Sequence, residues 1–186
     1  YERDAAMLLR GSRFLAAPLQ ASCIAMAGDA MCQTVLGNGE PLDRRRTLAF
    51  GAFGFCYGGL FQRWLYGRMD VLLGVGRNPS VVVSKVLADA LVHAPLIYIP
   101  AFYISIALLR GDSLSAGVAQ LRDKWAETMR AYFAIWPATM AMVFAYVPVH
   151  RRVLCVASVA FVEKTVLSAI ANDELPASWS ERVAAS

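Results

Sequence analysis

Charged residues are scarce in this chain: they make up 17% of its 186 residues, against about 25% in an ordinary soluble domain. A soluble fold of this length needs a polar shell, and this sequence has too little to build one. Histidine is scarcer still, and two imidazoles, His93 and His150, do not make a metal cluster. The four cysteines, Cys23, Cys32, Cys56 and Cys155, lie in apolar stretches without a C-x-x-C pair, so they read as small buried hydrophobes and not as a disulfide framework or a metal site. No serine or cysteine stands in a nucleophile motif, and Leu73-Gly74-Val75-Gly76 is too short to cradle a phosphate. A non-enzyme without cofactor or metal is the expectation. The net charge of +4 comes from arginines scattered over short loops, with no run that tracks a nucleic-acid backbone, so nucleic acid is not an expected partner. Alternation of period two is missing, which excludes a membrane barrel, and internal repeats and low-complexity segments are missing as well. The chain opens on Tyr1 and not on methionine, and supplies no targeting evidence either way.

What the chain has is long uncharged runs, with a mean hydropathy of +0.47. The one around which the others are organised is residues 131–152, AYFAIWPATMAMVFAYVPVHRR. Pro137 and Pro148 each remove a backbone donor and mark a kink or a helix start. Tyr132, Trp136 and Tyr146 suit the headgroup level of a bilayer, and His150, Arg151 and Arg152 mark a polar boundary. The chain reaches that run through three earlier segments. Residues 14–36 form a first run of roughly spanning length. In it Asp29 and Gln33, four apart, share a helix face, and Ala21, Ala25, Gly28 and Cys32 make a small-residue surface. Residues 47–62 carry a G-x-x-x-G at Gly54 and Gly58, with Gly51 and Gly59 alongside, a surface for close helix packing. Residues 81–109 carry Lys85, Asp89 and His93 at spacings of four, then Pro95 and Pro100, which should bend the second half.

Between this third run and the organising one, residues 115–130 set Val118, Leu121, Trp125 and Met129 against Arg122, Asp123, Lys124 and Glu127, the pattern of an amphipathic helix at the interface or under its neighbours. Residues 153–170 make a last apolar segment, interrupted by Glu163-Lys164. The chain thus reads as all-α: an integral membrane helical bundle of four to five spans with one amphipathic interfacial helix. An N-terminal arm at 1–13, one transmembrane domain at 14–171 and an exposed polar C-terminal tail at 172–186 complete it. Arginine and lysine divide almost evenly between the two sides, so the loops do not set the orientation.

Ionisable groups near the centre of a bilayer cost about 2.5–3.5 kcal/mol each on insertion scales, so they face a partner or water. Asp29, Lys85, Asp89, His93, Glu163 and Lys164, with Gln33, are the candidates. Three readings stay open for them: pairing across helices that fixes the bundle, a water-lined pathway, or helix ends close to the surface, where Lys85 can snorkel. The sharpest expectation places Asp89 toward the interior, offset by Lys85 and His93, where it meets Asp29 or Gln33 or the charges at Glu163-Lys164.

Several of these motifs occur in an order that resembles one family, the small membrane proteins that include mitochondrial Mpv-seventeen and the twenty-two-kilodalton peroxisomal membrane protein. Gly28-Asp29 with Gln33 resembles the family's G-D-x-x-x-Q, and Asp43-x-x-Arg46-Thr47 its D-x-x-R-T. Lys85-x-x-x-Asp89 with Pro95 resembles its K-x-x-x-D-Q-x-x-x-x-P. Trp136-Pro137, Phe144, Val147-Pro148 and Arg152 resemble its W-P … N-F-x-x-V-P-x-x-x-R signature, and Leu167-Ser168 its closing L-S. The chain departs at Leu60, Ala90, Met140, Val143 and Glu163, where the family has proline, glutamine, glutamine, asparagine and tryptophan. The resemblance implies a multispanning protein of the inner mitochondrial membrane, with peroxisomal and plastid membranes as alternatives. It also implies a weakly selective channel for small solutes, with no catalytic activity or cofactor. The lost amides and the glycine-rich second helix motivate the alternative, a non-catalytic accessory or structural subunit of a larger organelle membrane complex. Expected partners are the lipid bilayer, and other subunits or a second copy of the chain.

Overall fold

A computed structural model of the protein describes residues 2–37, 40–74, 78–146 and 149–175, with side chains described from Leu15 onward except at 141, 143–145 and 149–154. The side chains of the signature residues Phe144 and Arg152, all of Pro148, and the tail from 176 therefore lie outside what is described. Among the described residues all regular structure is helical and no strand occurs. The described residues form an all-α membrane bundle of five rods.

The first rod, α1 (Glu2–Val35), has 34 residues and is about 50 Å long at ~1.5 Å per residue. The arm expected at 1–13 is helical from Glu2 and continuous with the first apolar run. The second rod joins α2 (Arg44–Phe53), a π-helical segment Gly54–Phe61 and α3 (Gln62–Leu73). It starts where Asp43 caps α2 by accepting a bond from the Arg46 N–H at 3.0 Å. The third joins α4 (Pro79–Ala88), a π-helical segment Asp89–Tyr98 and α5 (Ile99–Arg110), and ends at Gly111, whose φ of +86° lies in the left-handed region that favours glycine. α6 (Leu114–Tyr146) and α7 (Val149–Ala171) are the fourth and fifth. By length and composition, Leu15–Val35 and Pro79–Arg110 are apolar enough to cross a membrane.

Two expectations change here. The amphipathic segment 115–130 is not a separate interfacial helix: it runs without a break into the organising stretch, and the two form the 33-residue α6. Nothing between Arg130 and Ala131 stops a helix, and Pro137 is accommodated inside it. The polar half buries Thr128 and Met129 while Val118 and Trp125 stay largely exposed. The glycine-rich second rod is also not free for another protein, because α1 covers it. A Cβ at Gly54 would lie 2.6 Å from the Ala21 carbonyl oxygen, and one at Gly59 would collide with the Pro18 backbone. Small residues on both helices let the two backbones touch.

The prolines do more than bend the third rod. In a π-helical ladder the Pro95 carbonyl would accept from residue 100, but Pro100 has no N–H. The indole Nε1 of Trp125 on α6 donates to that carbonyl instead, at 3.3 Å. A gap left by one proline is thus filled from the amphipathic half of α6. Deeper in, Phe50, Phe53 and Phe102 pack edge to face at centroid distances of 5.4 Å, which clamps α2 on α5.

Candidate functional site

Three oppositely charged or chargeable pairs face the interior: Asp29 with Arg46, Asp89 with His93, and Glu163 with Lys164.

The first is built from the start of α2. Because Asp43 fixes that helix end, Arg46 in the first turn points back onto α1. Asp29 is 0% exposed. Its Oδ1 accepts from Arg46 Nε at 2.7 Å and Ser168 Oγ at 2.6 Å, and its Oδ2 from Gln33 Nε2 and Thr47 Oγ1, both at 2.7 Å. Four donors meet the carboxylate's four lone-pair sites, the condition for burying such a charge. Gln33 Oε1 in turn accepts from the Asp43 N–H at 2.7 Å. Three stretches far apart in sequence, around Gly28-Asp29, Asp43-Arg46-Thr47 and Leu167-Ser168, thus converge in one cluster. Gly28 contributes by omission, since a Cβ there would lie 2.7 Å from the Lys164 Cβ and push α7 away.

The beginning of the tail belongs to this cluster, which corrects its reading as an exposed terminus. The Glu174 carboxylate accepts from Arg46 Nη1 at 2.6 Å and Nη2 at 2.7 Å, and from Cys32 Sγ at 3.0 Å. Arg110 donates to Asn172 at 2.8 Å, Gln120 to the Ala171 carbonyl at 2.6 Å, and Lys124 pairs with Asp173. Donors on α1, α2, α5 and α6 therefore hold the end of α7, where its last carbonyls and acidic side chains need partners. The bond from Arg46 holds the Glu174 carboxyl below the usual carboxylate range. Its folded-state pKa is lowered, so its contribution to stability is complete above the unfolded value of about 4.3 and is lost as pH falls through the lower folded value. Thermal unfolding of detergent-solubilised protein should therefore shift to lower temperature below pH ~4.3, and Glu174→Gln should flatten that part of the profile. An unchanged slope in the variant would remove Glu174 from the acid response.

The second cluster forms where the two π-helical segments face each other. Asp89 Oδ1 lies 2.7 Å from His93 Nδ1 and accepts from Tyr66 at 3.1 Å, while Oδ2 accepts from Tyr132 at 2.5 Å. His93 is 3% exposed, and its Nε2 lies 2.9 Å from the Tyr57 hydroxyl. Asp89 faces the interior as expected, but it meets neither Asp29, Gln33 nor Glu163-Lys164. Asp29 is taken by Arg46 at one end of α1, and the hydroxyls bonded to Asp89 come from α3 and α6, while that of the Gly54–Phe61 segment bonds His93. Lys85 does not offset Asp89 either: it lies a turn nearer the helix end and pairs with Asp70 of α3 at 2.5 Å.

The third pair adjoins the second. Tyr98 donates to Glu163 Oε1 at 2.7 Å, Glu163 Oε2 lies 2.6 Å from Lys164 Nζ, and Lys164 also reaches the Tyr98 hydroxyl. The Tyr98 ring is 6.2 Å from that of His93 and 6.5 Å from that of Tyr132. A void of about 10 Å³ lies between Tyr98, Thr128, Tyr132 and Glu163, room for no more than one water. Sequence reasoning missed the four tyrosines, having placed Tyr132 at headgroup level. Their signal was the need of each intramembrane carboxylate for donors, which tyrosine supplies without adding charge.

The profile of the Mpv17 / PMP22 family matches residues 107–168. Protein SYM1 of Eremothecium gossypii is 32% identical over 149 residues, which cover 76% of this chain and 79% of that protein. Mitochondrial inner membrane protein Mpv17 of Danio rerio is 29% identical over 128 residues, covering 69% and 71%. The Mpv17-like protein of Xenopus laevis is 31% identical over 137 residues, covering 73% and 65%. No solved structure matches. With these relatives, and with three of the family's ordered motifs gathered into one buried cluster, the chain belongs to the Mpv17 / PMP22 family and is a protein of the mitochondrial inner membrane.

Proposed function

We propose that this protein is a non-catalytic, weakly selective channel that passes small solutes through the polar interior of its bundle, and that the structure is its closed form. The observation that supports this reading is the placement of the ionisable groups. The Asp89–His93 pair on the third rod and the Glu163–Lys164 pair on the fifth both face the interior, with Tyr98 between them bonded to Glu163 and its ring beside His93, the arrangement expected of a pathway through a membrane. The void beside Glu163, between Tyr98, Thr128 and Tyr132, is too small for any solute, so conduction requires α6 or α7 to move. The test is recording from purified protein reconstituted into planar bilayers. Stepwise conductance that disappears with heat-denatured protein is the expected result. Silence across a range of voltages and salts, from protein that remains helical and monodisperse, would overturn it.

A non-catalytic accessory subunit of a larger inner-membrane assembly is the second reading. One observation favours it: among the described residues every buried side-chain nitrogen and oxygen has a hydrogen-bond partner, as in a scaffold that never opens. Silence in the bilayer together with stable migration in a large complex in mild detergent would select it.

A further inference from the structure

One carboxylate in the Arg46 cluster comes from outside the helices. Asn172 and Asp173 form a turn beyond α7, with Asp173 in the left-handed region at φ +57°. Glu174 then reaches back to Arg46 and Cys32. It is the outermost layer of the cluster: its side chain is 21% exposed, whereas those of Arg46 and Asp29 are 7% and 0%.

The donors that receive it are held in place independently of it. Arg46 Nε is fixed on Asp29 and Nη2 on Ser168 Oγ at 2.7 Å, while Cys32 is held by the body of α1. Asp29 has four donors of its own and does not depend on Glu174. If the Glu174 side chain rotated outward, no helix would have to move. The planar fork of Arg46 would then face the opening with Nη1 unpaired, beside the Cys32 thiol. Two parallel N–H donors and a third donor at their edge match the two oxygens of a carboxylate. Arg110, close enough to act on the Glu174 carboxylate, adds positive potential at the mouth.

We propose that Arg46 and Cys32 form a carboxylate-binding site at this end of the bundle, which Glu174 fills as a removable latch and which a free carboxylate occupies when Glu174 swings out. The site stands on the geometry of the Arg46 cluster and not on the channel reading, and its test does not depend on conductance.

The reporter is Cys32, buried beneath the latch. In full-length protein with Cys23, Cys56 and Cys155 changed to serine, the rate of maleimide labelling at Cys32 is followed by mass spectrometry in detergent. Glu174→Ala should label about tenfold faster than the parent, because the local cover is gone. Acetate at millimolar concentration should slow that labelling back toward the parent rate, while chloride at the same ionic strength should not, and the parent should ignore both. Where Glu174→Ala is not helical and monodisperse, Glu174→Gln takes its place, since it keeps the shape and loses the charge; it should also label faster. Labelling that is equally slow with and without Glu174 would overturn the latch. Faster labelling on which acetate acts no differently from chloride would overturn the carboxylate site.

Discussion

Arg46→Ala is expected to be the most damaging single substitution in the described protein, with a loss of about 3–5 kcal/mol, enough to prevent recovery of folded protein from the membrane. Asp29 is fully buried and would keep three neutral donors but lose its only cation. Glu174 would lose both of its charged bonds at the same time. The effect belongs to the orphaned carboxylate and not to a large net value of the pair, so the double variant Arg46→Met with Asp29→Leu should recover much of the loss. Asp29→Asn should also destabilise, because an amide would turn a donor toward donors. Yield of monodisperse protein and its thermal midpoint read all three variants. If Arg46→Ala were as stable as the parent, the cluster would not be the joint between α1, α2 and α7.

Gly59→Val is expected to have the second largest effect, about 3 kcal/mol. A Cβ at this position meets the backbone of Pro18, which cannot rotate aside as a side chain would, so α1 and the second rod must separate along the whole glycine face. Gly67, on the same rod, makes the comparison: a Cβ there meets nothing within 4 Å. Gly67→Ala should raise stability by about 0.5–1 kcal/mol, as alanine does for glycine in an open helix interior. Equal behaviour of the two positions in a thermal unfolding assay would mean that the close approach of the two rods does not hold in the membrane.

The helical class, the small-residue surfaces of the first two rods and the shared face of Asp29 and Gln33 were legible because each is a matter of periodicity along one segment. The partners of Asp89 were not. A spacing of four fixes which side chains share a face, but not which neighbouring helix that face meets. Tyrosine deepens the ambiguity, since its ring suits the membrane interface and its hydroxyl suits a buried carboxylate equally well. Glu174 was hidden for another reason: polar residues after a last helix read as solvated, and only a cation waiting on a distant helix shows otherwise. The ordered family motifs carried the information that Asp29, Arg46 and Ser168 matter, while their meeting in space comes from the fold.

The most direct test of the view that the polar interior is the conducting path is the reversal potential of Asp89→Asn under a potassium chloride gradient, measured beside the parent. Asp89 is the carboxylate at the meeting point of the two π-helical segments, so removal of its charge should shift the reversal potential toward anion preference while protein yield and helicity are kept. Parent and variant channels with the same reversal potential would contradict the account and place the pathway elsewhere.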